Sequence, residues 1–138
     1  NLAMTEQSKS AKLVLIIEDD DGGRELLTFL VKKEGYRAEC AVDGEDGYQK
    51  AERLKPDIIL LDLMMPRYGG FEVLRRLQAG ELSRIPIVVV TGRYTDRSTA
   101  EMIRQESNVV DFLEKPLKPN VLGATLARIL NPHSSEAA

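Results

Sequence analysis

Five short apolar runs, each followed by a segment of helical periodicity, constrain this chain more than any other feature. The runs are KLVLII (Lys12–Ile17), YRAECA (Tyr36–Ala41), DIILLD (Asp57–Asp62), IPIVVVTG (Ile85–Gly92) and VVDFLE (Val109–Glu114). Near-continuous β-branched runs of this length suit strands buried on both faces of a sheet, with YRAECA the weakest of the five. After the first, Leu26, Leu27, Leu30 and Val31 recur at helical spacing and Gly35 supplies a stop. DGEDGYQKAERLKP predicts a second helix ended by Pro56, and GGFEVLRRLQAG a third closing at Gly80. Asp96 to Glu106 predicts a fourth with a thin stripe of Ala100, Met102 and Ile103. The fifth carries Val121, Leu122, Leu126, Ile129 and Leu130 on one broad stripe, with Pro119 in its first turn.

Five repeats of strand then helix give an α/β fold, a parallel sheet with helices on both faces and right-handed crossovers. A closed eight-fold barrel needs about 250 residues, and this chain has 138, so an open three-layer sandwich remains. With 43% hydrophobic and 30% charged residues the chain is ordinary for one globular domain. Nineteen basic against 22 acidic residues, net −3, argue against general nucleic-acid affinity. Cys40 is the lone cysteine, which fits a reducing compartment and a core or near-core position. No run approaches the roughly 20 apolar residues of a membrane span, and no signal peptide opens the sequence, so the expected location is cytoplasmic. Residues 1–11 are expected to be a disordered or appended tail, with Met4 as the natural start. Residues 131–138, with the only histidine, His133, are expected to be a tail or the beginning of a linker.

In an open parallel sheet, ligands bind beyond the carboxyl ends of the strands. The first strand ends into Glu18, Asp19 and Asp20, the third at Asp62, the fourth at Thr91, and the fifth just before Lys115. That rim gathers carboxylates, a hydroxyl and an ammonium. A phosphate-cradling GxxxxGK loop is missing, which leaves nucleotide hydrolysis little support. An all-oxygen site suits Mg²⁺, whereas zinc would need Cys and His. Mg²⁺ held by Asp19 and Asp62 leaves room for a phosphoryl oxygen, and a carboxylate can accept a phosphoryl group as an aspartyl phosphate. Lys115 and Thr91 would supply the charge and hydrogen bond that the added oxygens need. Taken singly, each group has a plainer role: the acids from Glu18 to Asp21 as a helix-starting loop, Asp62 and Thr91 as caps, Lys115 as surface charge. Their joint placement at four strand ends argues for a site.

VLIIEDD, PDIILLDLMMP with Gly70 following, VVVTG and DFLEKP, in this order, resemble the receiver domain of two-component response regulators over Lys12 to Leu130. The resemblance implies a doubly wound, flavodoxin-like sheet of strand order 2-1-3-4-5. It implies phosphorylation of Asp62, with Thr91 and Lys115 contacting the phosphoryl group. Asp19 matches a direct Mg²⁺ ligand, Glu18 one acting through water, and the Met64 backbone carbonyl a third protein ligand. Phe112 matches an aromatic whose packing changes with Thr91. Met64 and Arg93 stand where side chains tune the lifetime of the phosphorylated state. Implied partners are a sensor histidine kinase or histidine phosphotransfer protein, and an output partner or second copy at the surface of the fourth helix, fifth strand and fifth helix. Direct nucleic-acid contact is not implied. The chain departs from the family pattern at Glu18, a commoner aspartate elsewhere; at Gly69, where an acid is usual; at Phe112, which lacks a tyrosine hydroxyl; and at Ser107 and Asn108, which replace Gly-Ala.

The expected function is therefore a phosphoacceptor switch and not a substrate-turning enzyme. Two alternatives stand beside it. A binding-only pseudo-receiver predicts loss of Asp62, Lys115 or the acidic pair, and all are present. An aspartyl-phosphate-forming phosphatase uses a second acid two residues beyond the nucleophile, where this chain has Met64.

Overall fold

In the computed structural model, which describes residues 12–65, 69–92 and 97–131, the strands are β1 (Leu13–Ile17), β2 (Arg37–Ala41), β3 (Ile58–Asp62), β4 (Ile87–Thr91) and β5 (Val109–Glu114). They form one parallel sheet in the order β2-β1-β3-β4-β5, the expected order. The helices are α1 (Asp21–Lys33), α2 (Gly44–Leu54), α3 (Gly70–Arg76), α4 (Arg97–Arg104) and α5 (Pro119–Leu130), with a 3₁₀ turn at Gly80–Arg84. Met4, Arg93, Asp96 and His133 lie outside the described residues.

Every residue of β1, β3 and β4 is buried, because side chains alternate between two helix-covered faces. Leu15, Ile17, Ile59, Leu61, Ile87 and Val89 pack with Ala51 of α2, Val73 and Leu74 of α3 and Ile103 of α4. On the other face Val14, Ile16, Ile58, Leu60, Val88 and Val90 meet Leu27, Leu30 and Val31 of α1 and Leu122, Leu126 and Leu130 of α5. The edge strands β2 and β5 are only partly covered. Cys40 is half-buried against the second layer, near-core as expected.

Local chemistry sets the helix ends. Asp20 caps α1, accepting from Gly23 N at 2.7 Å, and Asp43 caps α2, accepting from Asp46 N at 2.8 Å. Helix α2 ends on Lys55 in the left-handed region, φ 48°, just before Pro56. Pro119 opens α5 behind an uncapped Lys118.

Two expectations need correction, and one strand is irregular. Helix α3 stops at Arg76 and does not run to Gly80. The Asn108 side-chain amide, from the entrance to β5, donates to the Leu77 carbonyl at 3.2 Å, and so satisfies an end-of-helix acceptor from outside. The buried stripes are also narrower than the apolar patterns: Leu26, Val121 and Met102 are exposed, and α5 buries Gly123 and Thr125 in their place. A helix against one sheet face covers only the stripe aimed at it. Finally, β5 is irregular. Ile87 pairs with Val109 but Val88 with Asp111, leaving Val110 as an extra residue.

Candidate functional site

Register brings the site together. Ile17 pairs with Leu61, Asp62 with Val90, and Thr91 with Glu114, so the residues leaving β1, β3, β4 and β5 emerge on one rim. Glu18, Asp19, Asp20, Asp62, Met64, Gly92 and Lys115 line a cleft of about 360 Å³ there. A larger hollow beside Tyr48 and Leu82 contains none of these residues.

Lys115 organises the cleft. Its Nζ donates to Glu18 Oε1 at 2.6 Å and lies 3.5 Å from Asp62 Oδ2. Its backbone N donates to the Thr91 carbonyl at 2.7 Å, tying the lysine to the end of β4. Glu18 and Thr91 are completely buried and Asp62 is 5% exposed. Met64 N donates to Asp62 Oδ1 at 3.0 Å, while the Met64 side chain is exposed beside the cleft. Phe112, on β5 opposite Val89, is half-buried, with the Arg104 guanidinium of α4 5.2 Å from its ring centre.

The acidic cluster divides into roles. Glu18, Asp19 and Asp62 each offer an oxygen within 4.8 Å of the other two. Asp20 is committed to capping α1, and Asp21 pairs with Arg24, so the helix-starting reading holds for these two. Arg24, not among the residues expected at the site, donates from Nη1 to the Glu18 and Asp19 carbonyls at 2.9 Å each. Its position six residues after Glu18, one turn into a helix, was the available signal.

Burial, followed by the neighbouring Asp62 carboxylate, pushes Glu18 up to about 7 against the opposing pull of Lys115. For Lys115 burial acts downward, yet the bond to Glu18 and the charges of Asp62 and Glu18 outweigh it, and the ammonium is held more tightly than usual. The two tendencies conflict for a single pair, since a tightly held ammonium needs an ionised partner. The count of charges resolves the conflict: one ammonium faces two buried carboxylates, and exposed Asp19 adds a third. The cleft carries excess negative charge that either a proton or a cation would offset. Its all-oxygen donors fit a hard divalent cation.

The family model described as the response regulator receiver domain matches residues 14–127. The transcriptional regulatory protein AfsQ1 of Streptomyces coelicolor is 35% identical over 90% of this chain and 53% of its own length. The DNA-binding response regulator MtrA of Mycolicibacterium smegmatis is 34% identical over 91% and 53%. The chain thus spans about half the length of these relatives. Among solved structures, the receiver domain of the Pseudomonas aeruginosa sensor histidine kinase PA1611, with magnesium coordinated in its active-site cleft, superposes with a TM-score of 0.77 at 28% identity, covering 86% of this chain and 97% of that one.

Proposed function

The chain belongs to the response regulator receiver domain family, and from that premise we propose that Asp62 is its phosphoacceptor. The observation that carries this reading is the Lys115 ammonium lying between Glu18 and Asp62 at 2.6 and 3.5 Å. A buried carboxylate at a strand end, with a cation beside it and a cleft before it, is equipped to attack phosphorus.

The donor is a phosphohistidine on a sensor kinase or phosphotransfer protein. An Asp62 oxygen forms the new O–P bond as the P–N bond breaks, and the imidazole nitrogen leaves with the electron pair and takes a proton. Lys115 pairs with a phosphoryl oxygen, and the Thr91 hydroxyl donates to another. Asp19, Asp62, the Met64 carbonyl and, through water, Glu18 would hold Mg²⁺. When bound, the ion offsets the repulsion between these carboxylates and the phosphoryl oxygens. The magnesium coordinated in the active-site cleft of the PA1611 receiver supports a cation in this cleft.

Thr91 at the end of β4 and Phe112 on β5 form the switch. Drawing Thr91 toward the phosphoryl group changes the packing of Phe112 beneath α4, favouring one of two states of the α4–β5–α5 surface. That surface would hold an output partner or a second copy of the chain. Met64 and Arg93 would set how long the phosphoryl group persists. The domain accelerates its own phosphorylation and dephosphorylation without turning over an external substrate.

Intact mass after exposure to acetyl phosphate or phosphoramidate tests the proposal. A Mg²⁺-dependent gain of one phosphoryl mass is expected, and none in Asp62→Asn. No adduct in a folded, Mg²⁺-binding protein sampled by rapid quench would overturn it.

A further inference from the structure

The buried Glu18 carboxylate has a matched space, and Gly23 makes it. A Cβ on Gly23 would lie 2.8 Å from Glu18 Oε1, 3.1 Å from its Cδ and 3.2 Å from its Cγ. Oε1 is the oxygen that receives Lys115 Nζ at 2.6 Å. A contact with the end of a flexible side chain is normally relieved by a small movement, but here that movement is made against the bond from Lys115.

On the helix side, Gly23 N is fixed by its bond to Asp20 Oδ2 at 2.7 Å. The first turn of α1 is further tied to the β1 exit through Arg24 and the Glu18 and Asp19 carbonyls. On the strand side, the Glu18 side chain is 1% exposed, and its backbone N donates to the Ala41 carbonyl at 3.1 Å. The atom able to give way is therefore the carboxylate, and its displacement is at the expense of the bond to Lys115. The adjacent Gly22 differs: its Cβ would meet only Asp20 Oδ2, at an ordinary 3.4 Å.

We infer that Gly23 is a positioning residue matched to the length of Glu18, setting the carboxylate against Lys115 and thereby shaping the cation site. Its effect on cation binding rests on the proposed function, whereas its effect on the Glu18–Lys115 pair does not. An aspartate at position 18 would withdraw the carboxylate toward β1 by about 1.5 Å, one carbon–carbon bond, which removes the 2.8 Å contact at Oε1 and leaves only the milder contacts near Cγ for a Cβ on residue 23.

A double-mutant cycle isolates that dependence. Gly23→Ala is made in the natural protein and in Glu18→Asp, with Gly22→Ala as the matched helix control. Mg²⁺ affinity by calorimetry and metal-free thermal midpoints are measured on all variants. Gly23→Ala is expected to weaken Mg²⁺ binding about tenfold and lower the metal-free midpoint in the Glu18 protein. In the Glu18→Asp background it should change affinity by less than about twofold and leave the midpoint level or raised, since alanine favours a helix over glycine. Gly22→Ala should change neither affinity nor fold. Failure of Gly23→Ala to fold, with recovery in Glu18→Asp, would equally support the match. The same loss in both backgrounds, or failure to fold in both, overturns it. If the natural protein binds no Mg²⁺, the proposed cation site fails, and the metal-free midpoints alone decide this inference.

Discussion

Lys115 and Glu18, 97 residues apart in sequence, are joined by a 2.6 Å ion pair between a half-buried ammonium and a fully buried carboxylate. The same ammonium lies within 3.5 Å of Asp62, so the site depends on one cation shared between two acids.

Removing that cation should leave two buried carboxylates facing each other. Lys115→Ala is expected to destabilise the metal-free protein by about 2 kcal/mol, below the range for a fully buried pair because the lysine is partly solvated. Mg²⁺ should restore part of the loss. Urea unfolding with and without Mg²⁺ measures both, and an unchanged midpoint would show that Lys115 does not hold the fold.

The raised Glu18 pKa makes the metal-free fold sensitive to pH. Between the ordinary value of 4.5 and about 7, the folded state holds a proton that the unfolded state has released. This contribution is fully present below about 4.5 and is lost as pH rises through about 7. It is on the order of 3 kcal/mol. Unfolding free energies between pH 4.5 and 8 should decline less steeply in Glu18→Gln than in the natural protein, and Mg²⁺ affinity in the natural protein should strengthen as Glu18 ionises. Equal slopes would count against the shift.

Gly70 allows α3 to start against the loop that leaves Asp62. A Cβ there would lie 2.4 Å from Leu63 Cα and 2.7 Å from the Asp62 carbonyl oxygen, backbone atoms that move only with the strand end. Gly70→Ala is expected to lower stability by about 3 kcal/mol and to slow phosphoryl uptake from acetyl phosphate. Wild-type thermal stability in the variant would show that the loop yields freely.

The Asn108 amide that donates to the Leu77 carbonyl beyond α3 is sensitive to its chemistry. Asn108→Asp would place a carboxylate oxygen against the Leu77 carbonyl where an N–H now donates, a loss of about 3 kcal/mol. Asn108→Ala removes the donor without adding charge and should lose about 1 kcal/mol. Chemical denaturation of the two variants side by side checks the order.

Local pattern was enough for much of this molecule. Short β-branched runs such as Ile58–Leu61 suit central strands buried on both faces, and the helical spacing of Leu27, Leu30 and Val31 follows from the backbone period. Pro119 and Gly35 mark helix ends because their backbones restrict what can follow or precede them. The rim of Glu18, Asp19, Asp62, Thr91 and Lys115 was legible for the same reason, since parallel strands place their carboxyl ends together. The sequence could not show how Lys115 divides itself between Glu18 and Asp62, which of the four acids from Glu18 to Asp21 caps α1, that the Asn108 amide binds the Leu77 carbonyl beyond α3, or that Gly23 clears space for Glu18. Those outcomes depend on ångström-scale register between segments far apart in the chain. Periodicity and propensity act within a turn or two, whereas which charged atoms meet, and what is buried beside them, is decided only when the strands have packed.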